Sequence, residues 1–442
     1  MIYEEIDLIE KSLKAKNLEE YEIYLVKKEI YETMFLKSEP EIEREIEDFE
    51  YFIRTLTQKG DKTGIGVLKG NSLDLKDLEK NIDTCILISK SNLSSIYHFP
   101  EEKSIPKITT ADNVLIKDPI GSKNDLCEEL ISEVKEQREV VPTFGRLRLH
   151  IKNNYLRNSN GVNLNSTKTF FYLEFSLKAQ EQGKLSEYWN VEYINEKEHF
   201  DFKNRVANWA KLARDTLKAE PPIPNNDAIV IFPPNVLREA IIPVIGFHTL
   251  GQAFSEKLSA YNINDEVVSE EITIIDDGLL KGGLSSNPWD GEGNPHQKTE
   301  VIKKGIFQNR LFDQKYALLE EKESTGNGIR GVSGSVINGV SNFQILPGIV
   351  SLSDMISDIK EGYYIEKFSW LNPEMLSGFF GAEIRHGYYI KDGEFQNPLK
   401  LGNVSGNILE MMKNCIAISK EVEFSENACF PYMAFSNLNV SS

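Results

Sequence analysis

Apolar residues recur at i, i+3 and i+7 in Ile6, Ile9 and Leu13, the spacing of one helix face, and predict a helix at the start of the chain. Alternation takes over in YEIYLVKKEIYETMFL from Tyr21 and in FEYFIRTLTQ from Phe49, and GIGVLKG from Gly64 closes the set. Tyr24, Val26, Ile30 and Met34 share one parity, which predicts an antiparallel sheet with one wet face. Leu78, Ile82, Cys85 and Ile86 then return to helical spacing, so a helix–sheet–helix layer is expected over about a hundred residues.

The pattern lapses between Tyr97 and Gly121, a stretch rich in proline, lysine and aspartate that marks a first boundary. Beyond it, Asp125 can cap a helix carrying Leu126, Leu130, Ile131 and Val134. RLRLHIKNNYLRN and KTFFYLEFSLKAQ read as strands on either side of an Asn158–Gly161 turn, and Val206, Trp209, Ala213 and Leu217 mark a further helix. AEPPIPNN, Ala219 to Asn226, is the second boundary, because three prolines fit neither a helix interior nor a central strand. From Asp227 onward the chain is glycine-rich and strand-like, with one helical stretch near Leu237 to Tyr261. The expected class is α+β: helix and antiparallel-sheet layers over 1–110, a central α+β segment over 111–220, and a large, mainly β C-terminal domain over 221–442.

Charge narrows the partners. Across 442 residues, 50 Lys and Arg against 68 Asp and Glu leave a net −18, which repels phosphate backbones, and the short basic runs are bracketed by acids, so no nucleic-acid partner is expected. Four scattered cysteines without a CxxC pair fit a reducing cytoplasm better than a disulfide scaffold. The acidic opening MIYEEIDLIEK reads as an amphipathic helix rather than a signal peptide, and the longest apolar stretch, Ala228 to Phe247, is broken by prolines and charges, so no membrane association is expected.

Familiar catalytic motifs are missing: GxSxG, the P-loop, the dinucleotide fingerprint and H-E-x-x-H. The six histidines are isolated. His248 lies in the helical stretch, but its i−4 and i+4 neighbours are Val244 and Gln252, which favours a packing or cleft-lining role over a metal ligand. Glu383 and His386 form E-x-x-H within an alternating segment, where strand geometry sends the two side chains to opposite faces. Asp276 and Asp277 before Gly278 end the EEITIIDDG strand; two carboxylates there can bind a cation or hydrogen-bond a loop, or one can cap the turn while the other is solvated. TGNGIR, Thr325 to Arg330, is a glycine loop able to approach a peptide or an anion closely.

EEITIIDDGLL, PWDGEGNPHQKTEVIKKGIFQNRLFDQKYA, STGNGIR, the LPG at Leu346 to Gly348, VSGN at Val404 to Asn407 and PYMAFSNLNVS occur in the order seen in the TldD/PmbA family, which the chain therefore resembles. The resemblance implies a zinc peptidase framework, linked in that family to peptide maturation, small-protein degradation and modulation of DNA gyrase. The TldD branch carries H-E-x-x-x-H on the helix after the second linker, two histidines holding zinc and the glutamate activating water, with a cysteine ligand near the C-terminus. At that place this chain has Pro243-Val244-Ile245-Gly246-Phe247-His248, so only the last histidine survives and the general base is gone. Cys429 lies too close to the final strand to take the cysteine's role.

The chain thus resembles the PmbA (TldE) branch, which lacks zinc and pairs with a TldD-type subunit. The implied function is a non-catalytic subunit of a heterodimeric, cytoplasmic zinc metallopeptidase acting on extended peptides. No catalytic residue and no metal ligand are expected in this chain, and zinc belongs to the partner. His248, Asp276, Asp277, Gly278, Thr325, Gly326, Asn327 and Gly328 are the expected cleft or interface residues, and a homodimer through the same surface is compatible with the reading. Two alternatives stay open: a self-sufficient enzyme whose metal site combines His248 with Asp276, Asp277, His386 or Cys429, and a regulatory protein without enzymatic role.

Overall fold

A computed structural model describes residues 2–442, with side chains from Glu4 onward. The N-terminal half holds β1 (Tyr21–Leu36), β2 (Glu39–Lys59), β3 (Lys62–Gly70), β4 (Leu93–Ser94), β5 (Val140–Asn158), β6 (Asn163–Glu181) and β7 (Lys184–Ile194), joined in one seven-stranded sheet of order β4-β3-β2-β1-β5-β6-β7. Strand β1 pairs with β5 from Glu22↔Asn158 to Leu36↔Phe144, so the segments 1–110 and 111–220, expected as separate units, build a single sheet.

Helices α1 (Ile2–Lys14) and α2 (Leu75–Ser91) cover one face of β1 to β3. Ile6, Ile9 and Leu13 from α1, and Leu78, Ile82 and Cys85 from α2, pack on Ile23, Leu25 and Ile53, the predicted helical faces meeting the sheet. The opposite face is not wet where the strands cross the middle of the molecule: every residue from Tyr21 to Val26 is buried. Tyr24 and Val26, with Phe52, Leu156 and Val162, receive Trp289 from the C-terminal half, so both faces are covered there, against the expectation of one wet face.

Helices α3 (Asn113–Lys117), α4 (Pro119–Lys135) and α5 (Phe202–Thr216) follow. α4 begins earlier than predicted. Asp118 caps it by accepting from the Gly121 N–H, and Pro119, whose missing N–H costs nothing in the first turn, leaves Asp125 in the interior. Leu126, Leu130 and Val134 of α4 and Val206, Trp209 and Ala213 of α5 share a core with Leu147, Phe171 and Phe175 of the first sheet and with Tyr364, Tyr388 and Ala434 of the second.

The second sheet has eleven strands. They are β8 (Asn225–Phe232), β9 (Ile274–Asp277), β10 (Lys298–Lys303), β11 (Ile306–Phe307), β14 (Phe343–Ile345), β15 (Glu361–Phe368), β16 (Phe379–Lys391), β17 (Glu394–Leu399), β18 (Asn403–Asn407), β19 (Cys415–Ser425) and β20 (Ala428–Ser441). A hairpin of β12 (Gly328–Arg330) and β13 (Val336–Asn338) stands apart. Because β8 pairs with both β15 and β20, strands β8, β15, β16, β18 and β20 close into a ring, which removes free edges at the centre of the domain. Helix α6 (Pro234–Ile241) runs into a π-helical turn at Ile242–Gly246, and the short α7 (Gly251–Ser255) follows. Leu237, Ile241, Val244 and Ile245 pack on Val230, Tyr363 and Phe435. The predicted helix near Leu237 to Tyr261 is therefore present but broken. Pro243 has no N–H to give to the preceding turn, and the helix widens there instead of continuing as α.

Candidate functional site

The widened turn occupies the place where the resemblance sets H-E-x-x-x-H. A π turn hydrogen-bonds residues five apart, the separation of Pro243 and His248. The side chains nonetheless do not compose a metal site. Pro243 is exposed, Val244 is buried in the apolar core, and His248 is fully buried with both ring nitrogens engaged. His248 Nδ1 accepts from the Ala260 N–H at 3.1 Å, which leaves the proton on Nε2 to donate to the Leu376 carbonyl at 3.1 Å. Burial lowers its pKa, keeping the imidazole neutral. One imidazole already committed on both sides, with an imino ring and an isopropyl group beside it, does not fit zinc, which needs three protein ligands around an open position.

Asp276 is buried at the end of β9 and takes the loop-bonding role, one of those open to it from the sequence, rather than a solvated one. It accepts from Asn327 Nδ2 at 2.7 Å, the Ser341 N–H at 2.7 Å and Ser341 Oγ at 2.8 Å. Desolvation pushes its pKa up to about 7 despite these donors. Asp277 does cap the turn, accepting from the Leu279 N–H at 2.9 Å, but it too is buried. The DDG strand end and the TGNG loop, far apart in sequence, are thus bonded directly. The relay continues toward the degenerate helix: Asn338 Nδ2 donates to the Asn327 carbonyl at 3.4 Å, and its Oδ1 accepts from the Gln252 N–H at 3.0 Å.

The backbone donors of the TGNG loop are used internally. Thr325 and Asn327 N–H groups reach the Phe312 carbonyl, Gly326 N–H reaches Ser324 Oγ, and Gly328 N–H reaches the Asp290 carboxylate at 2.9 Å. Gly326 sits at φ +74°, and a Cβ there would fall 2.4 Å from the Pro295 carbonyl oxygen, so the loop needs glycine in order to lie against the PWDGEGNP segment.

That segment carries functional groups the sequence reading did not single out. Arg54 of β2 donates to Glu22 of β1 through Nε at 2.9 Å and Nη2 at 2.6 Å, and Arg330 of β12 donates to the same carboxylate at 2.5 Å. Glu292 accepts from Arg54 at 3.4 Å and from the Tyr97 hydroxyl at 2.6 Å. Burial, reinforced by the Glu292 charge, raises the carboxyl pKa of Asp290 and of Asp313 beside it. The network is an electrostatic lock between the first sheet and the β12 hairpin and PWDGEGNP segment of the C-terminal half. Its sequence signal is faint: Glu22 and Arg54 stand among the apolar runs YEIYLV and YFIRTL, but both strands carry many other charges.

The other expected metal-site members are not brought together. His386 is buried with Nδ1 against Thr216 Oγ1 at 2.8 Å, while Glu383 three residues before it is exposed, as the strand parity predicted. Cys429 lies on β20 beside Gln344 and Phe424, with its thiol pKa raised by burial. Among the described residues no three His, Cys, Asp or Glu side chains gather with metal-binding geometry. A separate cleft of about 770 Å³ opens between β7, α5 and the second sheet, lined by Tyr188, Glu192, Arg205, Glu366, Glu423 and Tyr432.

Residues 225–442 match the model of the PmbA/TldA metallopeptidase C-terminal domain. A metalloprotease of Methanocaldococcus jannaschii is 25% identical over 366 residues, spanning 80% of this chain and 74% of its own. A Buchnera aphidicola protein described as a metalloprotease TldD homolog is 30% identical over 233 residues, 50% of this chain and 47% of its own. The crystal structure of TldE from Thermococcus kodakarensis has the same fold, with a TM-score of 0.87 at 19% identity over 99% of both chains. The C-terminal domain, residues 225–442, thus belongs with the TldD/PmbA family, and the whole chain has the fold of TldE.

Proposed function

We propose that this chain is the TldE/PmbA-like, non-catalytic subunit of a two-subunit cytoplasmic zinc metallopeptidase, paired with a TldD-type subunit that holds the zinc, and that the pair processes extended peptides. The observation that carries the reading is the replacement of ligand and base by Pro243 and Val244, with His248 bonded on both nitrogens. What the chain retains is a rigid, ion-locked frame. Such a frame supports a reaction by walling off solvent and presenting backbone to an extended substrate rather than by making bonds. His248, the DDG strand end and the TGNG loop are the residues we assign to the cleft wall or subunit contact.

The test is reconstitution. The purified chain alone should cleave no unstructured peptide, and adding a TldD-type subunit should produce or strongly raise cleavage. A partner whose activity and stability ignore this chain would count against the assignment.

A further inference from the structure

The face of the first sheet that looks toward the C-terminal domain carries a row of lysines on three adjacent strands. Lys28 on β1 stands opposite Lys152 on β5, and Lys152 stands opposite Lys168 on β6. Lys28 is neutralised by Asp48 at 3.1 Å and Glu50 at 3.2 Å. Lys152 has no hydrogen bond or ion pair among the described residues. Lys168 Nζ donates to the main-chain carbonyls of Leu284 and Ser286, the second at 3.2 Å, which satisfies N–H bonds but cancels no charge. Like charges directly across a strand pair repel; the Glu50 charge reaches Lys152, but that carboxylate is already shared between Lys28 and Lys69, and among the described residues no carboxylate pairs directly with Lys152 or Lys168.

Two residues further along the same face, Asn154 stands opposite Ser166. Both are more than nine-tenths buried, at 6% and 8% exposure, yet Asn154 Oδ1 and Ser166 Oγ have no partner. Orphaned polar atoms in a folded interior call for a missing occupant. Facing this row, His296 is close enough to feel the Lys168 charge, and its ring lies against Gly278 of the DDG turn, where a Cβ would fall 2.2 Å from Nδ1. In the other direction the same sheet face continues into His150 stacked on Phe170 at 4.6 Å, a flat platform for a side chain.

We propose that Lys152 and Lys168, with Asn154 and Ser166 beside them, form a carboxylate cradle that holds an extended peptide by its C-terminal or side-chain carboxylate. The cradle rests on this geometry alone, and its occupant rests on the peptide-processing reading above. Burial lowers the pKa of Lys168 to about 7 and that of Lys152 below its ordinary value, so near neutral pH the pair carries less than two full charges and suits a monoanion better than a phosphate dianion.

Titration calorimetry on the full chain alone tests this with four probes: a blocked tripeptide with a free C-terminal carboxylate, the same tripeptide as its amide, the amide carrying one internal glutamate, and inorganic phosphate. At least one carboxylate-bearing peptide should bind while the plain amide does not, and the comparison of the two tells which carboxylate is held. Lys152→Met should weaken that binding at least about 10-fold, the share of a charge-assisted hydrogen bond, while Lys152→Arg retains most of it. Lys168→Met should weaken it as well. Equal binding of the plain amide, preference for phosphate, or unchanged affinity in both methionine variants overturns the cradle. No partner and no hydrolysis enter the measurement, so its failure beside a working reconstituted peptidase would remove the cradle and leave the functional reading intact.

Discussion

Glu22→Gln is the sharpest probe of the lock between the first sheet and the C-terminal half. Glu22 is fully buried and accepts three charge-assisted hydrogen bonds, from Arg54 at 2.9 and 2.6 Å and from Arg330 at 2.5 Å. Glutamine keeps the shape but deletes the charge. Arg54 is then left with Glu292 at 3.4 Å, and Arg330 with the Gly291 and Gly334 carbonyls. Breaking one side of a buried ion pair costs about 3–5 kcal/mol, and the amide oxygen still accepts one N–H, so a loss near the lower end, about 3 kcal/mol, is expected. Urea unfolding at pH 7 reads this as a lower midpoint with an unchanged slope. The pH dependence adds a second check. Desolvation alone would raise the Glu22 carboxyl, but the charges of Arg330 and Arg54 outweigh it and hold the pKa below its ordinary 4.5. A depressed acid stabilises the fold above its unfolded pKa and loses that contribution as pH falls through the folded one, so the gap between wild type and variant should be full at pH 7 and shrink below about pH 4.5. A loss under about 1 kcal/mol, or a gap that widens on acidification, would refute the lock.

Trp289→Ala should cost about 3–5 kcal/mol, because the indole is buried against Tyr24, Val26 and Leu156, and limited proteolysis should show earlier cutting between the two halves. Asp276 has a pKa raised to about 7, so the folded state holds its proton more tightly than the unfolded chain; this residue's contribution should fall as pH rises from about 4 to 7, and Asp276→Asn should flatten that slope in pH-dependent melting. Writing the lost motif back as P243H with V244E should not give stoichiometric zinc by elemental analysis, because His248 stays bonded to Ala260 and Leu376 and a third ligand is lacking among the described residues.

Local pattern carried the helices well: Leu78, Ile82 and Cys85 form the buried face of α2, as their spacing requires. It also placed the strands and the Asn158–Gly161 turn, since alternation and turn residues act over a few positions. Parity put Tyr24 and Val26 on a buried face, as found, but the face of Ile23 and Leu25 is covered as well, by α1 and α2, so neither face is wet there. Nothing local encodes the pairing of β1 with β5 either, so the boundary near residue 110 crosses a continuous sheet. At the candidate site, Pro243 and Val244 were legible because side-chain chemistry alone disqualifies them. The Asp276–Asn327 bond and the Glu22–Arg54–Arg330 lock were not, because they exist only once distant segments dock.

The central claim is that zinc, where this chain acts, belongs to its partner. The most direct measurement is the metal content of the co-purified pair and of each subunit after gentle separation. The account predicts one zinc per pair, all of it with the TldD-type subunit. Stoichiometric zinc retained by this chain, lost on His248→Ala, would contradict it.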